Sequence, residues 1–284
     1  MILERNAIKL NPTQEKMLIS GWGDEAVSDS IVEKIAYQSD GLKLNGYLAL
    51  PKNSQNTNKK YPCIIWNRGG IGNSGAIDTF TARGLFGQIA SWGYVVFASQ
   101  YRGNAGSEGK DMFGGDDVND ILNLMPLAEE IPAANPDLWG IEGWSRGGMM
   151  TYLTLTKNHN FKCAVVSGGI ANLRCNADES KFMRSLYQES LGRYNTDEFT
   201  KNCEGRSIVN FTEKLSRNTP ILLLHGTSDK RVSPKDSLEL SLKLLENNIP
   251  FRLVMLEGGD HFLKTHKKEV DEMRKNWFNR FLKD

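Results

Sequence analysis

The apolar run LWGIEGW at 138–144 passes without a linker into RGGMMTYLTLTKN at 146–158, a segment patterned as a helix. At the junction stands Ser145, with Gly143 two positions before it, Gly147 two positions after it and Gly148 following. A strand and a helix can pass each other this closely around a strained turn only where the flanking residues are small. The run therefore predicts a sharp strand–turn–helix unit, which in turn needs a sheet with helices packed on it.

The rest of the chain keeps the same rhythm. Residues 31–50 alternate apolar and polar around Asp40-Gly41, giving IVEKIAYQS, a turn and LKLNGYLAL, the pattern of an antiparallel hairpin. The polar stretch from Pro51 to Lys60 reads as a mobile surface loop. Strand CIIWN (63–67), helix DTFTARGLFGQIASWG (78–93) and strand YVVFASQY (94–101) follow as a βαβ unit. A helix is predicted from Asp116 to Glu130 and a strand over FKCAVVSGG (161–169). Strand PILLLHG (220–226), helix SPKDSLELSLKLLENN (233–248) and strand FRLVMLEG (251–258) come next. A final helix carries Val270, Met273, Trp277, Phe278 and Phe281 at three- and four-residue steps, a face for core packing.

The expected architecture is one α/β domain over 1–284. Its mostly parallel central sheet has an antiparallel N-terminal hairpin and helices on both faces. The stretch 171–217 is long for a connection inside a compact domain. It is expected to form a small helical cap over the site, or a helical insertion away from it.

With 35 Lys and Arg against 34 Asp and Glu, the chain has no net field to draw in nucleic acid or an anionic membrane. Its expected partners are small molecules or short peptides. The opening Met1-Ile-Leu-Glu-Arg-Asn puts charges where a signal peptide needs an apolar stretch. No later apolar run reaches the roughly 18 residues of a membrane span, so a cytoplasmic location is expected. Cys63, Cys163, Cys175 and Cys203 show no C-x-x-C spacing, which predicts neither a metal site nor a disulfide framework. Cys63 and Cys163 read as small buried hydrophobes, whereas Cys175 and Cys203 lie in a more polar region and could pair only under oxidation.

Gly143-Trp144-Ser145-Arg146-Gly147 matches G-x-S-x-G in the strand-to-helix context of a nucleophile elbow. A serine hydroxyl needs a base to take its proton, and the base needs an acid to fix its tautomer. In α/β-hydrolases the acid and then the histidine follow the serine, on loops after late strands. Asp229 follows PILLLHG in such a loop, and His261 follows FRLVMLEG. Each lies past the carboxyl end of a strand, where open α/β sheets bind ligands. Of the other three histidines, His159 reads as a surface residue and His225 as a structural one at a strand end. His266, at the start of the last helix, is the competitor to His261 for the base, and Asp260 is expected to point elsewhere.

A tetrahedral intermediate also needs two N–H donors for its oxyanion. The residue after the nucleophile, Arg146, supplies one, and Gly70 in Asn67-Arg68-Gly69-Gly70 the other, with Gly69 close behind. The glycines from Gly69 to Gly75 do not match G-x-G-x-x-G, so no dinucleotide cofactor is expected.

In order along the chain, Ser39-Asp40-Gly41, Tyr61-Pro62, Tyr101-Arg102-Gly103-Asn104, Gly143 to Gly148, Pro220 to Gly226, Asp229-Lys-Arg-Val232 and Asp260-His261 resemble the catalytic domain of the prolyl oligopeptidase family. The resemblance implies the α/β-hydrolase fold and a peptidase that works without metal or cofactor. The chain lacks the large N-terminal β-propeller of well-known members, so size selection by a propeller is not expected. Arg68 stands where the family often has histidine or tyrosine, so an oxyanion-stabilising tyrosine is not implied. No segment matches the paired glutamates with which dipeptidyl-peptidases hold a free amino terminus. A carboxylesterase or acyl-sugar deacetylase with the same triad is the alternative reading, and a non-catalytic binding module a third.

Overall fold

The computed structural model describes residues 1–55 and 58–283. The chain opens with β1 (Ile2–Ala7), α1 (Pro12–Trp22), α2 (Glu25–Ser28), β2 (Ser30–Ser39) and β3 (Leu42–Pro51). There follow β4 (Tyr61–Asn67), α3 (Thr79–Ser91), β5 (Val95–Ser99), α4 (Asp117–Leu122), β6 (Ala134–Trp144), α5 (Arg146–Lys157) and β7 (Phe161–Ser167). After α6 (Leu173–Glu179), α7 (Lys181–Leu191) and α8 (Asp197–Glu204), the chain ends with β8 (Ile221–Gly226), α9 (Pro234–Glu246), β9 (Phe251–Leu256) and α10 (Lys267–Leu282).

The strands form one nine-stranded sheet in the order β1-β2-β3-β5-β4-β6-β7-β8-β9. The pairs from β1 to β5 along one side are antiparallel, and those from β5 to β9 are parallel. The hairpin turn falls at Asp40 and Gly41, both at positive φ (50° and 81°), the twist a two-residue hairpin loop favours. The parallel strands read as unbroken apolar runs because both faces are covered. In β4, Cys63 and Ile65 face the core under α4, α5 and α9, while Ile64 and Trp66 face the core under α3 and α10. The face predicted for the last helix is buried at Val270, Trp277 and Phe278, with Met273 and Phe281 packed beside them.

Several boundaries differ from the sequence expectation. The chain adds an antiparallel β1 and two short helices before the hairpin; α1 is capped by Asn11, whose side chain accepts from the backbone N–H groups of Thr13 and Gln14. The helix expected from Asp116 to Glu130 breaks after Leu122 and resumes as a 3-10 turn over Met125–Glu130, because Pro126 has no N–H for an α-helical bond. Strand β6 begins at Ala134 rather than 138, since Tyr61 and Pro62 pair with Ala134 and Asn135 before a bulge resets the register to Cys63 with Trp139. Of the loop expected over 51–60, Lys52–Gln55 forms a 3-10 turn and residues 56 and 57 lie outside the described residues. Cys203 is fully buried on α8, not in polar surroundings, while Cys175 is half-exposed; all four cysteines are free thiols. No helix among the described residues is long and apolar enough to cross a membrane.

Register brings the loops after five strands to one edge. Asn67 pairs with Gly143, Trp144 with Ser167 and Gly226 with Leu256, so β4, β6, β7, β8 and β9 end side by side. From β4 the chain moves to β5 on one side, and the next strand, β6, lies on the other. The loops after β4 and β6 thus diverge at a topological switch point, where open α/β sheets form their crevice.

Candidate active site

Ser145 stands between β6 and α5 with φ 57° and ψ −121°, a conformation that a residue with a side chain avoids unless its surroundings impose it. The surroundings here are close. A Cβ on Gly143 would strike the Gly147 carbonyl, and one on Gly147 would strike the carbonyl of Asn67 at the end of β4. The Ser145 N–H donates to Ser167 O at 3.0 Å, and its carbonyl accepts from Gly148 N at 2.9 Å. The turn is held from both neighbouring strands, and its side chain faces a cavity of about 280 Å³.

His261 lines the same cavity. Its Nδ1 lies 2.7 Å from Asp229 Oδ2, and both side chains are buried. A carboxylate can only accept, so Nδ1 carries the hydrogen and Nε2 is left with its lone pair. The other Asp229 oxygen, Oδ1, accepts from the N–H groups of Arg231 (2.8 Å) and Val232 (3.0 Å). Burial works to raise the Asp229 pKa, but hydrogen bonds from His225 and His261 outweigh it and hold the carboxyl well below the ordinary range.

The other histidines lie where the sequence reading put them, with one addition. His159 is exposed against Lys214 O, and His266 bonds Glu257 O and pairs with Glu269 rather than with Asp229. Asp260 accepts from Phe262 N and stays at the surface. His225 is buried, as a structural residue would be, but it also lies against the acid: its Nε2 is 3.4 Å from Asp229 Oδ2 and 3.1 Å from Val232 O. Since Val232 O only accepts, Nε2 bears the hydrogen, and Nδ1 accepts from the Ser237 hydroxyl at 2.7 Å.

Gly70 and Arg146 both line the cavity beside Ser145. Among the described residues neither backbone N–H has a protein acceptor. Gly70 has φ +75°, and a Cβ there would strike Ser74 O, so only glycine fits. Gly69 packs tighter still on the nucleophile: a Cβ on it would stand 3.3 Å from Ser145 Cβ.

Two features were not anticipated, and the sequence leaves a third open between two alternatives. Trp144, the variable residue before the serine, stacks on His261 with ring centroids 5.1 Å apart and donates Nε1–H to the His261 carbonyl at 3.0 Å. The Arg146 side chain is buried in an ion pair with Asp111 (2.5 Å) and Asp117 (2.8 Å), tying the residue after the nucleophile to the loop after β5. The stretch 171–217 reaches the site through α7, whose Phe182, Met183 and Leu186 line the cavity together with Trp66 and Ile71. The signal for the first was its place in the pentapeptide; the others depend on long-range packing that no local pattern encodes.

Comparison with known proteins gives the chain's family. The sequence profile of the Prolyl oligopeptidase family matches residues 84–284. The chain is 32% identical over 249 residues to the uncharacterized peptidase YtmA of Bacillus subtilis (strain 168), a match covering 87% of this chain and 93% of that protein. It is 26% identical over 293 residues to the uncharacterized peptidase YuxL of the same organism, across 95% of this chain but 42% of the relative. Among solved structures, an acylaminoacyl peptidase in complex with Z-Gly-Gly-Phe-chloromethyl ketone superposes with a TM-score of 0.76 at 22% identity, over 90% of this chain and 42% of that one. The chain spans nearly all of one relative and under half of the larger ones, and by its sequence it belongs to the prolyl oligopeptidase family of serine hydrolases.

Proposed function

We propose that the protein is a serine peptidase in which Ser145, His261 and Asp229 act as a triad through an acyl-enzyme. The observation that carries this reading is the His261 Nδ1 to Asp229 Oδ2 bond of 2.7 Å, which leaves Nε2 basic on the cavity that Ser145 also lines. As the Ser145 Oγ bonds the substrate carbonyl carbon, its proton passes to His261 Nε2. The carbonyl oxygen becomes an oxyanion and accepts from the N–H groups of Gly70 and Arg146. The C–N bond then breaks, the leaving amine takes the proton from His261, and an acyl ester remains on Ser145. Water attacks that ester, gives a proton to His261, and the acid leaves as Ser145 is reprotonated. One amide and one water become one acid and one amine, so the steps require no metal or cofactor.

The cavity favours a short peptide with an apolar residue on the acyl side of the bond. Trp66, Ile77, Phe113, Ile170, Met183 and Leu186 form walls that would exclude water from such a side chain. The peptide-like inhibitor on the structurally similar acylaminoacyl peptidase, which ends in phenylalanine, is consistent with this class. In this reading α7 serves as a small cap over the acyl group.

A fluorophosphonate probe should label wild-type protein at Ser145, with labelling abolished in Ser145→Ala. Labelling that persists in that variant defeats the assignment. Turnover of aminoacyl amides and short peptides ending in an apolar acyl residue is the expected activity; turnover of p-nitrophenyl acetate alone, with no amide cleaved, would make the protein an esterase on the same triad.

A further inference from the structure

The motif Tyr101-Arg102-Gly103-Asn104 has no part in the proposed chemistry, yet Tyr101 is fully buried beside the site in a left-handed conformation, φ 63°. Two guanidinium groups pack on its ring, with Arg68 Cζ 5.3 Å from the centroid and Arg146 Cζ 5.2 Å. Its hydroxyl donates to the Arg68 carbonyl at 3.2 Å. The two arginines differ in their partners. Arg146 is matched by Asp111 and Asp117. Arg68, with no exposed surface, has no carboxylate partner among the described residues and is satisfied by carbonyl oxygens alone: Gln100 O at 3.0 Å, Gly72 O at 2.9 Å and Gly69 O at 3.5 Å.

An unpaired buried cation is costly unless its surroundings are organised around it. Burial lowers the Arg68 pKa to about 10, so it stays charged at neutral pH. The bonds it makes have one geometric consequence. A peptide unit is planar and trans, so its N–H points away from its C=O. Holding the Gly69 carbonyl toward Arg68 turns the Gly70 N–H to the opposite side. Arg146 Nη1 holds the next carbonyl, Gly70 O, at 3.1 Å, and Arg68 Nη2 holds that of Gly72. Every carbonyl of this loop that bonds an arginine is thereby taken out of competition for the space beside Ser145.

We propose that Arg68 is a positioning residue for the oxyanion site, clamping the Gly69–Gly72 loop together with Arg146, both packed on the Tyr101 ring, so that the Gly70 N–H is presented to the reacting carbonyl oxygen. The side chain does not line the cavity and touches no substrate. It acts through the loop, and its effect belongs to the tetrahedral state rather than to substrate binding.

This inference rests on the Ser145 reading, and the experiment separates the two. Hydrolysis of an activated ester and inhibition by an alkyl boronic acid, which forms a tetrahedral adduct with a nucleophilic serine, are measured for wild type, Arg68→Gln and Arg68→Lys. The expected result for Arg68→Gln is a kcat lower by about 10- to 100-fold, a KM within about threefold, and boronate affinity reduced by the same factor as kcat. Arg68→Lys, which keeps the charge but cannot span three carbonyls, is expected to fall about fivefold or more on both readouts. A folded Arg68→Gln with kcat and boronate affinity within twofold of wild type overturns the proposal, as does a loss that falls on KM alone. If Arg68→Gln does not fold, Arg68→Lys decides by the same criteria. Failure of the wild type to react with fluorophosphonate would instead sink the Ser145 reading itself.

Discussion

Asp229 is held by more groups than a catalytic acid strictly needs. One oxygen accepts two backbone N–H groups of its own loop, and the other faces both His261 and His225. The side chain therefore has one orientation, which it passes on to His261. Asp229→Asn can keep the loop bonds but presents an N–H or a weaker acceptor to His261 Nδ1, favouring the wrong tautomer. Its kcat on a peptide amide is expected to fall roughly 10³- to 10⁴-fold, and its thermal midpoint at neutral pH to fall as well, because the charged hydrogen bonds to His225 and His261 are lost. A smaller effect on kcat would move the acid elsewhere. At the same scale, Gly147→Ala puts a methyl group into the Asn67 carbonyl, which belongs to backbone and cannot swing aside. A loss of about 3 kcal/mol or more is expected in urea unfolding, since β4 and α5 would have to separate.

The parallel strands and the helices between them could be read from sequence because each is a local pattern with a local cause. A strand buried on both faces is an apolar run, and a helix that covers it repeats at three and four residues. Where the cause is not local, the pattern fails. Strand β1 is exposed at nearly every residue and α1 buries only Leu18, so neither carries an apolar signature. The first residues of β6, Ala134 to Asp137, are a strand only because Tyr61 and Pro62 lie alongside them. The same division runs through the site. Ser145, Asp229 and His261 were visible as residues just past strand ends, whereas Asp111 and Asp117 meet Arg146 only after the chain has folded. The stretch 171–217 shows this best: its length was legible, but that α7 rather than α6 or α8 reaches the cavity was not. Replacing both Phe182 and Leu186 by alanine should raise KM for a substrate with a bulky apolar acyl side chain about tenfold, with kcat changed much less, as expected for lost apolar contacts. An unchanged KM would mean that α7 stands beside the substrate without touching it.

Two buried carboxyl groups give the whole molecule opposing responses to pH. Asp229 is depressed by its histidine and backbone partners, so its contribution to stability is complete above its unfolded value of about 3.9 and is lost as pH falls below it. Asp236, on the first turn of α9, is the reverse case. Its Oδ2 accepts from the N–H groups of Ala171 and Asn172 at the start of the stretch 171–217, but among the described residues Oδ1 is buried without a partner, and burial raises its pKa to about 7. Between about pH 4 and pH 7 the folded protein holds a proton that the unfolded chain releases, so stability declines with rising pH across that window and levels off above it. The thermal midpoint of the wild type should therefore fall from pH 5 to pH 7. Asp236→Asn keeps an oxygen for the two N–H groups and places a neutral amide nitrogen where Oδ1 was, so it should flatten that part of the curve and be the more stable protein at pH 7. The size expected is on the order of 1–4 kcal/mol, read as a difference in urea unfolding between pH 5 and pH 7. If the wild type shows no decline over this range, or Asp236→Asn declines in parallel with it, Asp236 is ionised in the folded state, and the junction between α9 and the stretch 171–217 is held by a charge rather than by a buried acid.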